Sequence, residues 1–190
     1  GGAAPAPGTP TIPATKPEDK PTTPTIPTTP TTPSVDSGVR FIDLGNHGWA
    51  ADAINALADE GIIKGTSENT FSPAANITRA DFAVLLVRAF KLASENSENF
   101  ADVSESDYFA KELAVARNTG LVNGIGENKF APRNNITRQD MMVIVYRALT
   151  GMNKLNVGDG VLDVPQASDF DKVADYAKEA VSALVNAKLV

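Results

Sequence analysis

Two arginines stand out by position. Arg79 lies in Ile77-Thr-Arg-Ala-Asp81 and Arg138 in Ile136-Thr-Arg-Gln-Asp140. A threonine followed three positions later by an acid is a shortened capping box, with Asp where Glu is usual, and predicts helices opening at Thr78 and Thr137. Each arginine then falls in the first turn of its helix, where the backbone carries positive partial charge and a cation is mildly disfavoured. One chemistry that suits the arrangement is anion capture: free backbone N–H groups and a guanidinium fork converge on a carboxylate or phosphate. The alternative is an internal ion pair, to Asp43 or Asp102 or to Asp81 or Asp140.

These arginines sit in corresponding places of a longer repeat. Residues 41–92 align with 100–151 without a gap, and 17 of the 52 positions are identical, enough to fix the register at 59 residues. Phe41-Ile-Asp43 matches Phe100-Ala-Asp102, Gly61-Ile-Ile-Lys-Gly65 matches Gly120-Leu-Val-Asn-Gly124, and Phe71-Ser-Pro73 matches Phe130-Ala-Pro132. A third copy starts at Leu162-Asp163-Val164 and runs to Lys188-Leu189-Val190, which corresponds to Gly120-Leu121-Val122.

Each unit reads as helix, loop, helix. The first-helix stripe is Trp49, Ala50, Ala53, Ile54 and Leu57, repeated in the third copy as Val173, Tyr176, Ala177, Ala180, Val181 and Leu184. The second-helix stripe is Phe82, Leu85, Leu86, Ala89 and Phe90, then Met141, Ile144, Val145, Ala148 and Leu149. Gly61 is the expected left-handed cap, with Ile62 making the accompanying apolar contact. Two short helices cannot bury both apolar faces alone, so packing between units is expected to complete the core.

Other residues join the candidate site. Trp49 lies on the first-helix stripe and reads as core, with a sugar-stacking face as the sharper alternative that Tyr108 shares. Gly65 and Gly124 serve backbone geometry, and if their loops line a groove, Lys64 and Asn123 beside them are hydrogen-bond donors to a ligand. Arg88 and Arg147, near helix C-termini, read as structural.

Composition excludes much else. Cysteine is absent, so there is no disulfide framework, thiolate zinc site or cysteine nucleophile. His47 is the only histidine, which leaves no His-based metal centre or Ser-His-Asp triad, and no cofactor is expected. The net charge of −6 argues against nucleic acid as a partner. No apolar run approaches the ~20 residues of a membrane span. The Asn156–Gly160 segment fails as a calcium loop, because Leu155 and Val157 would stand where oxygen ligands are needed. Ten of the 13 prolines lie before residue 34, interleaved with threonine, and predict a disordered, polyproline-like spacer over residues 1–38. With Gly1-Gly2 at its start, the chain reads as an internal or C-terminal fragment, the spacer implying an upstream module.

The ordered series Phe-x-Asp, a helix-opening aromatic, Gly-Ile-Ile-x-Gly, Phe-x-Pro and Ile-Thr-Arg-Ala-Asp resembles the S-layer homology (SLH) domain over residues 41–190. The resemblance implies an all-α fold of tandem helix-loop-helix repeats in a pseudo-threefold bundle. The units are a linker at 1–38, repeats at 39–98 and 99–160, and the first half of a third repeat at 161–190. It also implies a non-catalytic module at the bacterial cell surface that binds secondary cell-wall polysaccharide, often pyruvylated, attached to peptidoglycan. Arg79, Arg138, Trp49, Tyr108, Lys64, Gly65, Asn123 and Gly124 would then line the ligand grooves. With its Pro/Thr linker the layout is similar to the anchoring end of cellulosome scaffold proteins, so the upstream cargo would be a cohesin or other cellulosome component. The sequence departs from the family in its Asp for Glu after Thr-Arg, and in a third unit with Lys188 for glycine and without a second helix or Thr-Arg motif. A structural S-layer self-assembly element is the first alternative, and a helical hydrolase the second, opposed by the lack of a nucleophile–base pair.

Overall fold

The computed structural model describes residues 40–155 and 168–190. The Pro/Thr leader and the start of the third copy at Leu162-Asp163-Val164 lie outside the described residues. Among the described residues the chain is all-helical: α1 (Gly48–Asp59), α2 (Arg79–Ala89), α3 (Ala110–Asn118), α4 (Arg138–Gly151) and α5 (Asp175–Asn186), with short 3-10 turns at Gly45–His47 and Phe170–Lys172.

The ends of the helices are where the sequence places them. Thr78 and Thr137 are extended N-caps whose side chains accept the Asp81 and Asp140 N–H groups. Asp81 is too short to reach back to the cap's backbone, and its Oδ2 instead accepts the Thr78 hydroxyl at 2.6 Å. Gly61 (φ +73°) and Gly120 (φ +75°) turn left-handed after the first helices, and the Ile62 N–H closes onto Leu57 O at 2.9 Å. Lys188 adopts the same turn at φ +56° despite its Cβ.

Within each unit the loop is folded onto the Phe-x-Asp segment. The Asp43 carboxylate accepts the N–H groups of Phe71 and Ser72, and Asp102 those of Phe130 and Ala131. Phe41 meets Phe71 with ring centroids 5.7 Å apart, and Phe100 meets Phe130 at 5.2 Å. Gly65 and Gly124 make this fold possible. A Cβ on Gly65 would lie 2.5 Å from Thr70 O and 2.6 Å from the Phe41 ring, and one on Gly124 would lie 2.5 Å from Lys129 O and 2.8 Å from Phe100.

The main packing is between units, as two-helix repeats require. α2 packs on α3, α4 packs on α5, and α2 also touches α4. One core therefore spans both complete repeats, from Ala80, Val84 and Val87 to Leu113, Phe130 and Ile144. The Arg88–Glu112 ion pair, 2.6 Å, ties α2 to α3, in keeping with a structural Arg88.

Two core expectations need correction. In α2 the buried residues are Ala80, Ala83, Val84 and Val87, while Phe82, Leu85, Leu86 and Phe90 are half-buried and Ala89 is exposed. A helix that meets two neighbours is apolar nearly all round, which hides its stripe. In α1 only Ile54 of the expected core is fully buried; Trp49 is 88% exposed, and Ala53 and Leu57 are also exposed. The counterparts of Leu57, Ala116 and Leu184, are buried in helices packed on α2 and α4, whereas no preceding second helix covers α1 among the described residues.

Candidate functional site

The two Thr-Arg motifs have the same local geometry and opposite surroundings. At the first turn of α2 every N–H is taken. Arg79 N–H donates to Asn134 O (2.9 Å) and Ala80 N–H to Pro132 O (3.0 Å), both in the loop of the second repeat. Asp81 N–H goes to Thr78 Oγ1. A short antiparallel bridge pairs Thr78 with Asn135, and Ile136 N–H donates to Ile77 O (3.1 Å). The free N–H groups expected at α2 are thus consumed by protein carbonyls.

The Arg79 side chain is consumed too. Nε donates to Phe130 O at 2.9 Å, Nη1 to Asp140 Oδ2 at 3.0 Å, and the guanidinium lies 4.8 Å from the centroid of the Phe130 ring. Of the ion-pair partners considered from the sequence, Asp140 is the one used, and the Arg79 side chain is only 12% exposed.

Arg138 is exposed. Among the described residues it makes no ion pair or side-chain hydrogen bond, and the N–H groups of Arg138 and Gln139 have no acceptor. Arg79 points to the second helix of the following repeat, and α4 has no such helix after it among the described residues. The first turn of α4, with its Thr137 cap, therefore presents free donors beside a free guanidinium, the arrangement that holds a carboxylate.

The helix-opening aromatics mark the same junctions. Tyr108 Oη donates to Asp81 Oδ1 at 2.6 Å, and Tyr176 Oη to Asp140 Oδ1 at 2.7 Å. Each tyrosine of one repeat thus reaches the capping acid of the repeat before it. Burial first, and then the bond to Asp81, push the Tyr108 phenol up to about 12; burial and Asp140 raise Tyr176 as well. Gln139 donates to Tyr176 Oη at 2.9 Å and accepts the Ala174 N–H, fixing the rim beside Arg138. Both tyrosines keep exposed faces, 70% for Tyr108 and 62% for Tyr176.

Trp49 holds the equivalent place in the first repeat. The expectation that it is core fails because this helix position faces outward in all three units, the core place being the next residue: Phe109 is 2% exposed and Ala177 is fully buried. Lys64 and Asn123 are exposed on their loops, while Gly65 and Gly124 are set by backbone geometry, as described above. The structure thus gathers Arg79, Asp140, Tyr176 and Gln139 in one network at the first turn of α4, and Tyr108, Asp81 and Thr78 in another at the first turn of α2, with Arg138 exposed outside both. Asp81 and Asp140 were considered as partners of the arginines but not as acceptors for Tyr108 and Tyr176, and Gln139 was not considered; the signal for the two acids was the recurrence of Asp three residues after each capping threonine. No group of three His, Asp or Glu side chains is placed to hold a metal among the described residues, and no described helix is long and apolar enough to cross a membrane.

Residues 40–83 and 99–142 each match the S-layer homology domain. The chain is 31% identical over 149 residues to exoglucanase XynX of Acetivibrio thermocellus, covering 76% of the chain and 13% of the relative. It is 31% identical over 138 residues to an amylopullulanase of Thermoanaerobacterium thermosulfurigenes, 70% of the chain and 7% of the relative. It is 30% identical over 131 residues to the surface-layer 125 kDa protein of Lysinibacillus sphaericus, 69% of the chain and 10% of the relative. The chain thus spans a small part of each relative, and the shared part is the repeat region.

Proposed function

We propose that the chain, whose residues 40–83 and 99–142 match the S-layer homology domain, anchors an exported protein to the bacterial envelope by binding secondary cell-wall polysaccharide. The polymer is attached to peptidoglycan, and its acidic group, a pyruvate ketal, is the anion that Arg138 clamps. The role is binding, without catalysis. The observation that carries this reading is the open first turn of α4, which carries the exposed Arg138 and N–H groups without an acceptor among the described residues. Arg79 is committed to Asp140 and Phe130 O and holds the first turn of α4 in place. Trp49, Tyr108, Lys64 and Asn123 remain exposed where a long glycan can touch them. The upstream cargo, a cellulosome component or a surface enzyme, is reached through the Pro/Thr spacer.

Sedimentation of the chain with isolated cell walls tests this. Binding that disappears when the polymer is stripped with acid, and that falls with Arg138→Ala while the fold is intact, supports the anchor. Binding unchanged by either treatment overturns it. The exposed α1 face, with Trp49 and Leu57, favours lateral self-assembly as a second reading. Concentration-dependent assembly in the absence of wall material would mark it.

A further inference from the structure

The second repeat contains a cleft of ≈ 320 Å³ lined by Phe100, Arg117, Val122, Asn123, Gly126, Asn128 and Lys129. Its size is at the small end of ligand sites. Four features give it a definite chemistry.

First, its charges are balanced. Arg117 donates to the Glu98 carboxylate at 2.7 Å and to Asn99 O, and it stacks on the Phe100 ring at 4.8 Å. Lys129 Nζ lies 3.2 Å from Glu127. Both cations are therefore already paired, in contrast to Arg138. Second, the Asn123 and Asn128 carboxamides have no hydrogen-bond partner among the described residues. Each offers two donors and an acceptor, which matches a group that donates and accepts at once, such as a sugar hydroxyl or an acetamido group.

Third, the wall is held in an unusual shape. Glu127 (φ +48°) and Asn128 (φ +54°) are both left-handed, closed by Lys129 N–H to Gly126 O at 2.8 Å. Hairpin turns of this hand prefer glycine, and a glutamate there is strained. Fourth, the first repeat keeps Glu68 and Asn69 at the matching positions but has Lys64 for Asn123, Ser67 for Gly126 and Thr70 for Lys129. There the loop is knitted by hydroxyls, Thr66 to Thr70 and Ser72, and Ser67 to Thr70. The matching guanidinium comes from Arg40, which lies 6.0 Å from the Phe41 ring centroid and donates to Ala58 O. Neither Glu68 nor Asn69 there is left-handed.

We propose that this cleft is a subsite for a neutral pyranose, an N-acetylhexosamine or hexose of a wall glycan, gripped by Asn123 and Asn128. It rests on the glycan-binding reading above and adds the sugar class that the acidic junction does not select. Hydroxyls and an acetamido group of the ring meet the two carboxamides, while Glu98 and Glu127 balance the charges of Arg117 and Lys129. A free sugar of this kind is held weakly, in the millimolar range or above, about −4 kcal/mol or less, and the grip is useful as one of several along a polymer.

The test is an NMR titration of the isotope-labelled chain with N-acetylglucosamine, glucose and, as the acidic comparison, glucuronate. The expected result is that the neutral sugars shift the side-chain signals of Asn123 and Asn128 and the backbone signals of Gly126 and Lys129, while glucuronate does no better. Asn123→Ala with Asn128→Ala should abolish those shifts and weaken binding to purified wall polysaccharide about fivefold or more. Retention of that weakening on polymer-stripped peptidoglycan would assign the ring to the peptidoglycan strand, and its loss would assign it to the polymer. Neutral sugars that leave these signals still, or glucuronate alone moving them, overturn the subsite. Arg138→Ala separates the two claims. If the cleft shifts persist but no wall binding is found in any form, the anchoring reading fails and the subsite stands. If wall binding depends on Arg138 and the cleft stays silent, the subsite fails and the anchor stands.

Discussion

The Arg79 guanidinium donates to the Asp140 carboxylate at 3.0 Å, joining the first turn of α2 to the first turn of α4 across 61 residues of sequence. The guanidinium sits over the Phe130 ring and both side chains are mostly covered. Removing one member leaves the other without its partner in a poorly hydrated place, which typically costs a few kcal/mol. Arg79→Ala is expected to destabilise the fold by about 3 kcal/mol in urea melts. Arg79→Lys is expected to recover little, because it lacks the Nε donor to Phe130 O. Arg138→Ala should shift stability by less than about 0.5 kcal/mol while lowering wall binding, so the two equivalent arginines separate cleanly.

The Tyr108–Asp81 bond should show itself in alkali. The folded phenol titrates at about 12, against roughly 10 in an unfolded chain. The fold favours the protonated form, so this contribution is complete below pH ~10 and is lost as pH rises through ~12. The stability difference between the native chain and Tyr108→Phe, measured by urea melts across that window, is expected to shrink with rising pH. A difference that stays constant would remove the bond from the account.

Asp43 gives the opposite sign. The Phe71 N–H above all, with that of Ser72, outweighs the effect of burial and holds its carboxyl below the usual carboxylate range. Its contribution is complete above the ordinary carboxylate pKa of about 3.9 and is lost as pH falls through the lower folded value. Amide exchange at Phe71 and Ser72 is expected to quicken selectively on acidification. Asp43→Asn should show that quickening already at neutral pH, through loss of one charged acceptor oxygen.

Gly65 and Gly124 should tolerate no side chain. Alanine at either forces Cβ against a carbonyl oxygen 2.5 Å away, in a left-handed conformation. The expected loss is about 2–4 kcal/mol for each, read as a lowered urea midpoint. Gly61→Ala, where the space beside the glycine is open, should cost only the conformational term of about 1 kcal/mol.

Much of this was legible in the sequence because it is local. The 59-residue repeat, the Thr caps and the Gly61 and Gly120 turns depend on neighbours within a few residues, where pattern and propensity act together. The pairing of the arginines is not local. Arg79 and Arg138 share the same flanking letters, and only the chain 51 to 61 residues further on decides that one is sealed and the other open. Trp49 was misplaced for a different reason. Counting apolar letters cannot tell an aromatic that fills a core from one that caps a junction, although the aligned Tyr108 and Tyr176, each with a hydroxyl to satisfy, carried that signal. The repeat-two cleft left little trace, because its carboxamides are brought together by a turn whose left-handed residues are Glu127 and Asn128 rather than glycine.

The clasp between residues 77–80 and 132–136 has a mechanical consequence. Its backbone bonds, together with Arg79, tie the start of one unit's second helix to the loop of the next, so the first repeat has no seam along which it can be peeled away alone. Tension on the chain must break several bonds at once rather than one after another. A module that bears drag on a cell surface would then yield in a single large step, and single-molecule extension of the chain would record one rupture peak for the two repeats in place of two.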